Sequence, residues 1–292
     1  MAGQRPCFVA VHVGAGWHSH SAEPAYCAAM RQACSVARDC IEAGEPAERA
    51  AAAAVALLED APVTNAGRGS SLTEEGAVEN DASVMAGDGA FGAVGAASGL
   101  RNAVAVAACL AAETRERLPA GRVHPMMLAG DGARRWALAR GLPAAASARD
   151  AEEWHVTDAA VRRWRRYQAL AAAADLACLD EGGDADRIGH GSPACGAAAG
   201  SADSECKVHD TVGAVCVGPG GAAAAAVSSG GIALKAPGRV GEAAIYGAGC
   251  WAANPDAASD RPGVAAGPPG VCAADALTCT FGVRAELPLR DP

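Results

Sequence analysis

Small side chains dominate the stretches of this sequence that have to be buried. Ala50–Leu58 is rich in alanine, Ala222–Ser228 runs through alanine and valine into paired serines, and Gly92–Ala97 mixes glycine, alanine and a single valine. Such residues fill an interior only when the backbones that carry them come close together, so tight helix-on-sheet layers are favoured. Aromatics make up 4% of the chain against 51% hydrophobic residues, which leaves valine, leucine and isoleucine to supply the remaining core volume. A chain of 292 residues can bury a sizeable core, in one large domain or two small ones.

The order of elements follows from periodicity and from glycine and proline punctuation. Phe8–Val13 is an apolar, β-branched run ending in Gly14-Ala15-Gly16, which reads as a buried strand and a tight turn. Ala25–Ala43 carries apolar residues at helical spacing and stops at Gly44; Pro46–Leu58 gives a second helix opened by proline. Thr64–Gly69 is loop chemistry, and Ala82–Met85 with Gly92–Ala97 are short strands about a glycine turn. Asn102–Leu118 and Trp136–Arg140, ended by Gly141, are further helices. From about Ser147 the pattern weakens: Arg162–Arg166 sits in a helix, and the Gly-, Asp- and Ser-rich segment to Glu205 reads as a flexible linker. Order resumes at Asp210–Val217, which pairs through the Gly218–Gly221 turn with Ala222–Ser228. One further strand is expected at Leu277–Val283, in the Pro-, Gly- and Ala-rich stretch Asn254–Pro292.

Several function classes are disfavoured. A net charge of -9 argues against a general nucleic-acid surface, which gathers Lys and Arg against phosphates. No apolar run approaches the length of a membrane span, and Cys7–Val11 with His12 behind it is too short for a signal-peptide core. A soluble cytoplasmic chain is expected. The 12 cysteines show no Cys-x-x-Cys pair and no Cys/His cluster with metal-ligand spacing, so most are read as small reduced core residues and no metal or cofactor is implied.

The chemistry is concentrated after the linker. A threonine that opens a buried strand becomes a new N-terminus if the bond before it breaks, and Thr211 in Asp210-Thr211-Val212-Gly213 is so placed. Its freed α-amino group, with an ordinary pKa of about 7.7–8.0, accepts the hydroxyl proton near neutral pH, so one residue is both nucleophile and base. The same hydroxyl can attack the preceding carbonyl, with the Asp210 carboxylate assisting. An Asp-Thr pair alone is weak evidence, and Ser228-Ser229-Gly230-Gly231 alone reads as a turn.

Taken together, Asp210–Val215, Ala225–Lys235, Pro237-Gly238-Arg239-Val240-Gly241 and Tyr246–Ala252 resemble the plant-type asparaginase family of N-terminal nucleophile hydrolases, most closely its threonine aspartase branch. The likeness continues in Val11–Ser19, Thr64–Gly67 with Gly69-Ser70, Asp81–Met85 and Phe91–Ala96, so that it covers about residues 7–253. The resemblance implies an α/β fold of four layers, αββα, with the nucleophile opening a central strand. By the same resemblance Thr211 is the nucleophile, Asp210 the residue left at the self-cleavage site, and Ser229 the hydroxyl that orients Thr211. Arg239 holds a substrate carboxylate, for which a planar guanidinium offers two parallel charge-assisted bonds. Gly241 belongs to that pocket, and Gly14 and Gly16 to the turn against which the scissile segment rests. Glu242 stands where asparaginases carry an Asp for the substrate amine.

Asp210 and the paired serines favour an endopeptidase that cuts protein substrates after Asp, built from an α chain to Asp210, a β chain from Thr211, and a higher homo-oligomer. Isoaspartyl peptidase or L-asparaginase activity is the alternative, and glycosylasparaginase, which shares His209-Asp210-Thr211, stands third. The ordered part of the α chain is expected to run to about residue 146, with helix and linker over 147–209. Only 82 residues follow Asp210, and Asn254–Pro292 matches nothing in the family's later strands, so an incomplete, inactive form that only binds a partner subunit is the reading from another class. The basic run Arg162–Arg166 is a solvated helix face, with nuclear import as the competing reading.

Overall fold

A computed structural model describes residues 7–14, 20–180 and 211–254. Six strands form one sheet in the order β1-β5-β6-β2-β3-β4. They are β1 (Phe8–His12), β2 (Asn80–Ala86), β3 (Phe91–Ala97), β4 (Met127–Ala129), β5 (Val212–Val217) and β6 (Ala223–Ser229). All neighbours are antiparallel except β3 and β4. The helices are α1 (Glu23–Glu42), α2 (Ala47–Asp60), α3 (Ala103–Glu113), α4 (Gly130–Ala139), α5 (Ala148–His155) and α6 (Asp158–Asp180).

The expected mixed α/β fold is present, and both faces of its sheet are covered. On one face Ala82, Val84, Val94, Val212, Ala214, Ala224 and Ala226 share a core with the buried residues of α1 to α4. Alanines and glycines let the layers meet. A Cβ on Gly92 would stand 2.1 Å from the Ala107 carbonyl oxygen of α3, an approach only glycine permits. On the opposite face Met85, Phe91, Ala93, Ala225 and Val227 pack with Ala243, Cys250 and Ala252. The described residues contain this one sheet, not the two of the expected four-layer arrangement.

Several boundaries differ from the sequence reading. The third helix ends at Glu113, where the Thr114 hydroxyl donates back to the Ala111 carbonyl at 2.6 Å, rather than running to Leu118. Helix α4 opens six residues before Trp136, with Asp131 in its first turn bonded to Arg135 at 2.9 Å. Helices occupy the region past residue 146: Ser147 caps α5 through a reciprocal pair with Asp150, and α6 follows after two residues. The basic run of α6 is only partly a solvated face. Arg163 donates to the Gly69 carbonyl at 2.9 Å and Trp164 Nε1 to the Thr73 carbonyl at 2.8 Å, so α6 braces the 64–76 loop. Of the seven cysteines whose side chains are described, all free thiols, Cys216 and Cys250 are buried, while Cys27, Cys34, Cys40 and Cys109 are half-buried and Cys7 exposed. Among these seven the fully buried ones are in the minority, because helix α1 turns alanine rather than cysteine inward. No described helix is long and apolar enough to cross a membrane. The 181–210 linker and the Leu277–Val283 strand lie outside the described residues.

Candidate active site

Strand alternation decides which side of the sheet each group faces. Val212 and Ala214 point into the helical core, as do Ala224 and Ala226, so Ser228 points there too while Thr211 and Ser229 face the other side. The β5–β6 register pairs Val212 with Ser228, which brings Thr211 and Ser229 together just beyond it. Thr211 is 2% exposed; its Oγ1 stands 3.2 Å from Ser229 Oγ and 3.0 Å from Glu242 Oε1. Ser229 Oγ also accepts the Gly231 N–H at 3.0 Å, which orients its own proton and lone pairs.

The turn after β6 is clamped from the 64–76 loop. Asn65 Nδ2 donates to the Gly231 carbonyl at 2.8 Å, its Oδ1 accepts the Ser71 N–H at 2.8 Å, and its carbonyl accepts the Gly230 N–H at 2.7 Å. Gly230 has to be glycine here: a Cβ would lie 2.5 Å from the Ser70 side chain. Gly213, next to the nucleophile, is held as tightly, since a Cβ there would meet His12 Nε2 at 2.3 Å. The β1–β5 register pairs His12 with Gly213, and carrying it on sets Gly14, at φ 109°, level with Thr211.

A second loop brings in the charges. Lys235 is buried and donates to the carbonyls of Glu79 and of Gly230, the latter at 2.8 Å. Burial lowers its ammonium below the ordinary lysine range, against the attraction of Asp81 and Glu79. Asp81 occupies a bulge of β2 against β3 and bonds both ways, accepting the Ala96 N–H at 2.8 Å and the Gly241 N–H at 2.7 Å. Burial pushes its carboxyl above the usual range, the two backbone donors opposing this. Asp81 therefore fixes Gly241, the residue from which Glu242 enters a short 3-10 turn toward Thr211. Arg239 Nη1 lies against Gly231 and Gly241, 3.3 Å from where a Cβ on either would stand, and is buried without a hydrogen-bond partner. A buried guanidinium nitrogen left unpaired is costly, and an anion at this place would satisfy it.

A model of the family described as Asparaginase matches residues 5–264. The chain belongs to the asparaginase family. Among curated relatives, it is 33% identical over 252 residues to an isoaspartyl peptidase of Salmonella typhimurium, a match covering 84% of this chain and 69% of the relative. An isoaspartyl peptidase of Escherichia coli is 35% identical over 252 residues (84% of this chain, 68% of the relative). An isoaspartyl peptidase/L-asparaginase of Xenopus laevis is 32% identical over 249 residues, with 84% and 66% covered. The chain thus spans about two thirds of the length of these relatives.

Of the expected site residues of this asparaginase family member, Thr211, Ser229, Arg239 and Gly241 come together, and Gly14 lies at the same end of the sheet. Gly241 contributes its N–H to Asp81 rather than leaving it open to a ligand. Asp210 and Gly16 lie outside the described residues. Sequence reasoning gave no role to Asn65, Asp81, Glu59 or Lys235. Their signal was a polar residue heading a buried strand, ending an alanine-rich helix or standing among glycines. Among the described residues no group of three or more His, Cys, Asp or Glu is placed to hold a metal ion.

Proposed function

We propose that this asparaginase family member hydrolyses aspartyl amide bonds, with Thr211 as nucleophile, and that it acts on isoaspartyl peptides or L-asparagine. The observation that carries the reading is the buried Thr211 hydroxyl, 3.2 Å from Ser229 Oγ and 3.0 Å from Glu242 Oε1, with the unpaired Arg239 Nη1 on the neighbouring loop. A guanidinium and a carboxylate on either side of Gly241 match a substrate that carries a free α-carboxylate and a free α-ammonium. Asparagine and isoaspartyl dipeptides carry both; an aspartate inside a protein chain carries neither. The names of the relatives agree with this choice.

The nucleophile is made by self-cleavage between Asp210 and Thr211. Thr211 Oγ attacks the Asp210 carbonyl, the C–N bond breaks with a proton passing to nitrogen, and water hydrolyses the resulting ester. The freed α-amino group then takes the hydroxyl proton as Oγ attacks the substrate's side-chain carbonyl. It returns that proton to the departing amine, and water resolves the acyl-enzyme ester by the same route. A complementary αβ assembly and a cytoplasmic setting go with this reading.

A second reading is an endopeptidase that cuts after Asp, favoured by the Asp210-Thr211 junction and by serine rather than threonine at Ser229. Arg239 would then hold the aspartate side chain. Turnover of β-aspartyl-leucine, of L-asparagine and of a peptide with an internal aspartate separates them. The proposal expects turnover of one of the first two, with Arg239→Ala raising KM on the order of 100-fold through loss of a charge-assisted pair. Cleavage of the internal-aspartate peptide alone would replace it with the endopeptidase.

A further inference from the structure

Glu59 is fully buried near the end of α2, and one of the groups it holds, Ser228, adjoins the active site. Its Oε1 accepts the Ser228 hydroxyl at 2.6 Å and the Val104 N–H at 3.1 Å, while Oε2 is buried without a partner. Its backbone carbonyl accepts the Arg68 N–H at 2.7 Å, and a Cβ on Gly67 would stand 2.7 Å from the Glu59 Cβ. Packing alone does not call for an acid here. A leucine or methionine would fill the volume and leave no carboxylate oxygen unpaired, but it would strand the Ser228 hydroxyl and the Val104 N–H of the first turn of α3 without an acceptor. What the acid adds is an acceptor for the first turn of α3 and, toward the site, a grip on Ser228, the residue directly before the hydroxyl that contacts Thr211.

We propose that Glu59 is a positioning residue for the Thr211 nucleophile: from α2 it holds the Ser228 hydroxyl, and through that backbone step it sets where the Ser229 hydroxyl stands. The inference rests on Thr211 being the nucleophile. Ser228 and Ser229 face opposite sides of the sheet, so anchoring one on the helical side fixes the twist of the strand end that presents the other.

Protonation gives the grip a pH limit. Burial pushes Glu59 up to about 8, with the hydrogen bonds from Ser228 and Val104 and the nearby Asn102 amide, which itself donates to Ala56 and Asp60, working against it and the Asp60 charge adding to it. Asp60, the charged group on its own helix, is held by Arg101 at 3.3 Å. From the other elements packed around it, α3 faces Glu59 with Asn102 and the Val104 N–H, β6 with the Ser228 hydroxyl, and the 61–69 loop with the backbone of Gly67 and Arg68. Ionisation would strengthen the two bonds to Oε1 but also put charge on Oε2, which makes no hydrogen bond, and water could reach it only by parting α2 from β6.

The test uses the full chain, β-aspartyl-leucine as probe, and amide-exchange protection factors at Gly230 and Gly231. Glu59→Ala is expected to lower kcat by about 10-fold or more with KM little changed, and Ser228→Ala, which leaves α2 intact, to do the same. Glu59→Gln keeps an acceptor for Ser228 and cannot ionise, so it restores most of the loss. Between about pH 7 and pH 9 the unsubstituted protein should lose kcat and protection at Gly230 and Gly231 together, while Glu59→Gln loses neither. Equal pH dependence in the two proteins, or unchanged kcat in both Glu59→Ala and Ser228→Ala, overturns the proposal. If no form turns over the dipeptide, the hydrolase reading fails, and the protection factors alone decide whether Glu59 holds the strand end.

Discussion

The two ends of the β5–β6 hairpin are built from the same residue types and do opposite things. At the turn end, a side chain on Gly220 would meet nothing within 4 Å, and one on Gly218 would make only an ordinary contact with the Ala222 carbonyl oxygen at 3.8 Å. At the open end, a Cβ on Gly213 or Gly230 would stand only 2.3 Å from the His12 side chain or 2.5 Å from that of Ser70, and Thr211, Ser228 and Ser229 are all buried. Glycine at the turn serves chain reversal, and glycine at the open end serves close approach. The contrast shows where this fold concentrates its constraints. The alanine-built sheet is a platform, and the polar, tightly filled end of two adjacent strands is the working part.

Substitutions along the hairpin test that contrast. Thr211→Ala has the largest expected effect: hydrolysis falls to background, while the thermal midpoint moves by only a few degrees, about what a modest surface change gives. A large loss of stability with it would make Thr211 a structural rather than a catalytic residue. Gly230→Ala is next. Forcing a methyl into the contact with Ser70 should cost about 1–3 kcal/mol, and displacing the Asn65 clamp should reduce turnover more than 10-fold, as denaturant midpoints and kcat on the same samples would reveal.

The pH dependence of stability sharpens the contrast on the helical side. Glu59, raised from an ordinary 4.5 to about 8, binds its proton in the folded chain where the unfolded chain has lost it. Its contribution is therefore fully present below the ordinary value and is lost as pH rises from about 4.5 to about 8, by up to about 1.4 kcal/mol per pH unit. Glu59→Gln should flatten that slope in melting temperatures measured at pH 5, 6.5 and 8; an unchanged slope means Glu59 is ionised in the fold. Gly220→Ala at the turn has the smallest expected effect, within about 0.5 kcal/mol, and turnover should not change. A Gly220→Ala loss comparable to that of Gly230→Ala would erase the difference between the two ends.

The elements most visible in the sequence were those with a periodic or punctuated pattern. Phe8–His12, the α1 and α2 helices and the Gly218–Gly221 hairpin were read almost as they stand, and Thr211, Ser229 and Arg239 stood out as candidates because they sit in short adjoining motifs. Strand β4 was missed because three residues, Met127–Ala129, carry no alternation, and its parallel pairing to β3 comes from α3 crossing over the sheet. Helix α5 was missed although Ser147 and Asp150 spelled its cap. Asn65, Asp81 and Lys235 act through bonds to residues 156 to 166 positions away, and a contact of that kind leaves no local pattern to read.

The central claim is that Thr211 is a nucleophile able to free its own amino group, and intact-mass analysis of the purified full chain after incubation at neutral pH tests it most directly. Two fragments meeting between Asp210 and Thr211, formed by the unsubstituted protein and absent from Thr211→Ala, are the predicted result. A chain that stays whole in both samples would contradict it.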